Sequence, residues 1–146
     1  MVIAITGGRA YIPNRDELNS FLEITTPLMT ELHHGASGQV DLGMSLLVHY
    51  LNPAVKIVGW PVDVDKDGTY PQAPCNRNGR MLRESKSEAL FKFPGNKGTL
   101  DCFKKALQIK IPVFTYDSIS HEWKEHDSSQ VSAPKSIGRK LPGFYR

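Results

Sequence analysis

The chain has 146 residues, 40% of them hydrophobic and 23% charged, with a formal net charge of +3. That is the length of one domain with enough apolar residues for a core, which excludes wholesale disorder. The positive excess is too small for a dedicated nucleic-acid binder. Two distant cysteines, Cys75 and Cys102, exclude a disulfide framework and a readable structural zinc site.

In chain order, Val2-Ile3-Ala4-Ile5 is a short β-branched run ended by Gly7-Gly8, as a strand buried on both faces reads. Asn14-Arg15-Asp16-Glu17 has the form of a helix start, with Asn14 as N-cap and Glu17 three residues on. Leu18, Phe21 and Leu22 continue it at helical spacing until Pro27. Met29 to His33 is a second strand, Asp41 to Leu51 a second helix stopped by Asn52-Pro53, and Val55 to Trp60 a third strand. Residues 61–75 are rich in turn formers. Asn76 to Ser87 reads as helix, Ala89 to Phe93 as a fourth strand, Thr99 to Gln108 as helix and Pro112 to Tyr116 as a fifth strand. Strands alternating with helices imply a Rossmann-like, doubly wound, mostly parallel five-stranded sheet with helices on both faces. The expected domain is 1–116. Residues 117–146 show no period and read as an irregular C-terminal extension.

Three glycine turns each follow a predicted strand and precede a predicted helix: "TGGR" with Gly7, Gly8 and Arg9; "HGASG" with His34, Gly35, Ser37 and Gly38; and "PGNKGT" with Pro94, Gly95, Asn96, Lys97, Gly98 and Thr99. In a parallel sheet all three fall at the carboxyl edge, where helix N-termini offer unpaired N–H groups to an anion. With Arg9, Arg77 and Lys97 nearby, that pattern favours a phosphate-bearing ligand. Lys97-Gly98-Thr99 reverses the order of a P-loop, so an ATPase of that type is disfavoured.

"ITGGR", "HGASG" followed by Asp41, "RNGRM" from Arg77 to Met81 and "FPGNKGT" from Phe93 to Thr99 together resemble the SLOG superfamily. Within it the chain is most similar to the small YspA-like, YpsA-related branch. The superfamily includes cytokinin-activating phosphoribohydrolases and DprA-type DNA-processing proteins. The resemblance spans residues 1–116. It implies a Rossmann-like fold and a pocket for a nucleotide or nucleotide-derived molecule, with "PGNKGT" around a phosphate and Arg77 and Asn78 as pocket residues. The hydrolytic members carry Pro-Gly-Gly-x-Gly-Thr, two residues, then a catalytic glutamate. Here Asn96 replaces the second of the paired glycines and Cys102 stands at the glutamate position, with Asp101 one residue early. A thiol cannot activate water as a carboxylate does, so no catalytic residue is assigned.

Blander roles compete at several positions. His33 and His34, adjacent on a strand, point to opposite faces and cannot easily share a metal. Asp41 opens a helix, where the dipole alone favours an acid, and a contact to ribose hydroxyls is the competing role. Asp63 to Gly68 imitates a calcium loop but has Pro74 at its twelfth position, and His121 and His126 are five apart where a zinc-protease helix needs four. Neither metal nor cofactor is therefore expected. Tyr11 and Trp60 fall near the binding edge, where a ring can stack on a base or simply pack. The two cysteines read as small packing residues.

The expected function is binding of a nucleotide-derived small molecule, such as an ADP-ribose-type or cyclic nucleotide signal, without turnover. Such a protein senses its ligand or sequesters it, as a phage-encoded sponge against a nucleotide-signalling defence would. The alternative is a nucleotide N-glycosidase or phosphoribohydrolase using Asp41 or Asp101. A third, DprA-like DNA binding, would rest on Lys135, Arg139, Lys140 and Arg146. "MVIAITGGRAY" lacks the features of a signal peptide and no apolar run approaches the about 20 residues of a membrane span, so a cytoplasmic protein is expected. The second helix carries Leu42, Met44, Leu46, Leu47, Val48, Tyr50 and Leu51, more apolar surface than one sheet-facing stripe needs. With the dimers common among SLOG proteins, that implies a homodimer or higher oligomer.

Overall fold

The computed structural model describes residues 1–126 and the two-residue strand Lys135–Ser136. Its elements are β1 (Val2–Thr6), α1 (Arg15–Thr25), β2 (Glu31–His34), α2 (Gln39–Leu51), β3 (Lys56–Gly59), α3 (Val64–Asp67), α4 (Ala73–Glu84), β4 (Ala89–Lys92), α5 (Lys97–Gln108), β5 (Val113–Asp117), β6 (Glu122–His126) and β7 (Lys135–Ser136). The sheet order is β3-β2-β1-β4-β5-β6-β7. Strands β1 to β5 run parallel, and β6 and β7 add in antiparallel sense. The fold is α/β and Rossmann-like, as its alternating elements imply.

Strand alternation divides the core into two layers. Ile3, Ile5, Leu32, Phe91 and Phe114 meet Phe21 and Ile24 of α1 and Val40, Met44 and Val48 of α2. Ala4, Leu90 and Val113 meet Met81 and Leu82 of α4 and Cys102 and Ala106 of α5 on the other face. Side chains two apart share a face of a strand, so one strand serves both layers. At the start of α1 the predicted capping box is present: Asn14 Oδ1 accepts from the Glu17 amide at 2.9 Å and Glu17 Oε1 accepts from the Asn14 amide at 3.0 Å.

Two expectations need correction. The sheet has seven strands, not five, and residues 117–126 are no irregular extension: β5 runs on to Asp117, turns, and β6 returns along it from Glu122 to His126. Trp123 drives this. It is fully buried and its ring meets Phe21, Phe91, Phe93 and Tyr116 at centroid separations of 5.1 to 6.1 Å. One aromatic anchor in an otherwise polar strand holds β6 against the domain. Apart from the backbone of Lys135–Ser136, the rest of the extension, with Arg139, Lys140 and Arg146, lies outside the described residues. The turn-rich stretch 61–75 contains α3, whose Asp67 receives a two-pronged ion pair from Arg80 of α4, both at 2.8 Å. That pair holds the Asp67 carboxyl down at about 2.

Candidate functional site

The strand order reverses between β1 and β4, and in open α/β sheets the crevice at such a reversal is where ligands bind. The three glycine turns lie at the carboxyl ends of β1, β2 and β4, and the structure brings them into one ridge. Gly8 donates its amide to Pro94 O at 2.8 Å, and Gln39 donates to Arg9 O at 2.8 Å. The "TGGR" turn is thus clamped between the other two. Side chains would prevent this clamp. A Cβ on Gly38, whose φ is +124°, would fall 2.4 Å from the Arg9 Cα, and one on Gly95 would fall 2.1 Å from Thr99 Oγ1 and 2.7 Å from the Gly8 amide. A Cβ on Gly7 would strike Val40 of α2. These glycines therefore serve loop-to-loop contact first.

Inside "HGASG" the two central backbone donors are already committed. The Ala36 amide donates to His34 Nδ1 at 3.0 Å and the Ser37 amide to Asp41 Oδ2 at 3.1 Å. Because Nδ1 accepts, the proton of the neutral His34 ring sits on Nε2. Burial pushes the His34 imidazole toward its neutral form, and burial likewise raises the Asp41 carboxyl despite its bond from Ser37. Asp41 Oδ1 is buried without a hydrogen bond. The turn is thereby held from below by its own His and Asp, and Ala36 and Ser37 have no amide left for a phosphate.

Arg77 is buried beneath the same turn. Its Nη1 donates to the carbonyls of Gly35 and of Trp60, the latter at 2.9 Å, and its Nε donates to Asn78 Oδ1 at 3.1 Å. A Cβ on Gly35 would lie 2.8 Å from the Arg77 Cζ, so that glycine makes room for the guanidinium. Asn78 carries the connection on, its amide donating to Gly98 O and to Asp101 Oδ2, both at 3.1 Å. The "RNGRM" residues thus join the floor of one turn to the helix that follows another. Spacing alone gave no sign that Arg77 would act on Gly35.

The "PGNKGT" turn differs from the other two. Asn96 caps α5 without a side-chain hydrogen bond, and the first amide bonded to the cap is that of Leu100, at 3.0 Å to Asn96 O. Among the described residues no hydrogen bond engages the amides of Lys97, Gly98 and Thr99. Gly95 to Gly98 are exposed, and a Cβ on Gly98 would meet nothing within 4 Å. A helix N-terminus with unbonded N–H groups, open space, an exposed lysine and no acid in its first turn has the chemistry that suits an anion. Arg9, also exposed, is on the adjoining turn.

Of the groups that could act in hydrolysis, Cys102 and Asp101 are otherwise engaged, whereas Asp41 keeps Oδ1 without a hydrogen bond. Cys102 is fully buried and bonded to the Thr6 hydroxyl, and burial pushes its thiol up to about 12. Asp101 pairs with Lys105 at 3.1 Å besides accepting from Asn78. The Tyr11 hydroxyl donates to Glu17, and burial first, then that carboxylate, raises the phenol to about 12. Trp60 donates its indole N–H to His33 Nδ1 at 2.8 Å, and the Arg80 guanidinium lies 5.3 Å over its ring. Both rings are thus held by protein partners. Among the described residues no three His, Cys, Asp or Glu side chains come together as a metal cluster, and no helix is long and apolar enough to cross a membrane.

No protein-family model matches the chain, and no curated protein matches its sequence.

Proposed function

We propose that the protein binds a phosphate-bearing, nucleotide-derived small molecule across the β1–β4 crevice and holds it without turnover. It is read as a compact SLOG-type domain acting in the cytoplasm, where it senses or sequesters its ligand. The carrying observation is the contrast between the turns: in "HGASG" the Ala36 and Ser37 amides are bound internally above an acid, whereas no hydrogen bond among the described residues engages the first amides of α5, beside exposed Lys97. A phosphate is attracted to α5 and repelled from Asp41. The ligand therefore lies with phosphate at Lys97-Gly98-Thr99, flanked by Arg9, and with its hydroxyl-bearing part toward His34 and Asp41. Binding without turnover is supported by the buried thiol at Cys102 and by Asp101, whose carboxylate is held by Asn78 and Lys105. Asp41, with Oδ1 unpaired, is the carboxylate on which the hydrolytic alternative would rest. Mass spectrometry of the small molecules released by heat from the purified protein tests this: an intact phosphorylated nucleotide derivative is expected. Free base accumulating from added nucleotide, and lost in Asp41→Ala or Asp101→Ala, would establish the glycosidase reading instead.

Self-association belongs to the same proposal. Val40, Met44 and Val48 of α2 face the core, which leaves Leu42, Leu46 and Tyr50, four residues apart in turn, exposed at 52%, 72% and 83% on the outer side. Three large apolar side chains along one helix face form a patch of the kind that subunit contacts cover. The expected form is a homodimer through α2.

A further inference from the structure

Lys92 lies between Phe91 and Phe93, which enter the aromatic core, so alternation turns it to the other face of β4 beside Phe103 of α5. Leu90, two residues earlier on that face, is fully buried among apolar partners. A lysine at the next position is a costly choice unless its charge has a use. The Lys92 ammonium is half-buried, 5.7 Å over the Phe103 ring, and among the described residues makes no hydrogen bond or ion pair.

Among the described residues its surroundings contain a second base and no carboxylate paired with it. His126 of β6 meets the Phe103 ring edge-on at 5.3 Å, and its Nε2 shares a hydrogen bond of 2.8 Å with Thr115 Oγ1. Thr115 is the register neighbour of Lys92 on β5. Of the carboxylates on the adjoining elements, Asp101 of α5 is held by Lys105 and Asn78, and Asp117 of β5 by Lys124 at 3.0 Å. Glu122, on the His126 side of β6, is exposed four residues away along the strand. Glu125 falls with Trp123 on the opposite side of β6.

We propose that Lys92, His126 and Thr115, with Phe103 as an apolar wall, form a second anion site that takes a small oxyanion, phosphate or carboxylate. A half-buried cation beside an imidazole and a hydroxyl, with no counter-ion among the described residues, gains more from an arriving anion than an exposed lysine does. Burial lowers the Lys92 amine, and burial followed by the Lys92 charge lowers the His126 imidazole. A bound anion reverses both effects, so binding tightens as pH falls and His126 takes up a proton. This site is separate from the α5 N-terminus and does not depend on the proposed ligand there.

The test uses the full chain, labelled for nuclear magnetic resonance at the lysine side chains and histidine rings, and titrated at constant ionic strength with inorganic phosphate in one arm and acetate in the other. The expected result is saturable movement of the Lys92 and His126 signals together, a rise in the pKa of both, and at least a tenfold loss of affinity in Lys92→Met. The methionine keeps the contact with Phe103, and a Gly98→Val variant should leave this titration unchanged. Response to only one of the two anions would identify which oxyanion the site takes. Unmoved Lys92 and His126 signals in both arms, or an unaltered His126 response in Lys92→Met, would overturn the proposal.

Discussion

Gly95 and Gly98 are three residues apart in one turn, yet they answer to different demands. Gly95 is surrounded by its own protein, so Gly95→Ala forces Thr99 or the Gly8 turn to move and should destabilise the fold by about 1–3 kcal/mol, read as a lower denaturant midpoint. Gly98 faces open space, so Gly98→Val should leave the melting temperature near that of the parent. It should weaken binding of the heat-released ligand at least tenfold, about 1.4 kcal/mol by calorimetry, because the branched side chain covers the amides of the first turn. Unchanged affinity in Gly98→Val would remove the α5 N-terminus from the account. The sequence showed both glycines as turn residues but could not separate them. That distinction lies in what the rest of the chain places beside each one.

The parallel strands and their crossover helices were legible because each carries a strong local signal: a β-branched run, a capping box, an apolar period. Strand β6 was not. Glu122-Trp123-Lys124-Glu125-His126 has one apolar residue, and only the aromatic cluster it completes makes it a strand. Likewise "RNGRM" was legible as a functional segment, whereas the contact of Arg77 with Gly35, forty-two residues earlier, depends on how α4 packs. The link between α3 and α4 has a readable consequence. Asp67 is held at about 2 by Arg80, against about 3.9 in an unfolded chain. Its stabilising contribution is therefore complete above about pH 4 and lost as pH falls through about 2. Asp67→Asn should lower stability at neutral pH and flatten its acid dependence across that window, as followed by urea unfolding at stepped pH.

For the whole molecule, β6 is an integral part of the domain. Trp123→Ala should cost about 3–5 kcal/mol, seen as a large drop in melting temperature, and a chain cut after Tyr116 should fail to fold. The outer face of α2 sets the expected assembly: light scattering should report a dimer, and Leu46→Glu with Tyr50→Glu a folded monomer. A monomeric parent protein would leave that face without a role. The clamped glycine turns carry one further consequence, in the timing of amide exchange with deuterated solvent. Ala36 is exposed, yet its N–H is bound to a buried histidine, and that of Ser37 is bound to a buried aspartate. Both should exchange slowly whether or not ligand is present. Lys97 and Gly98 should exchange at once in the empty protein and slowly in the occupied one. The same surface ridge would then hold a fixed clock and a variable one side by side, the first reporting that the fold is intact and the second that the crevice is filled.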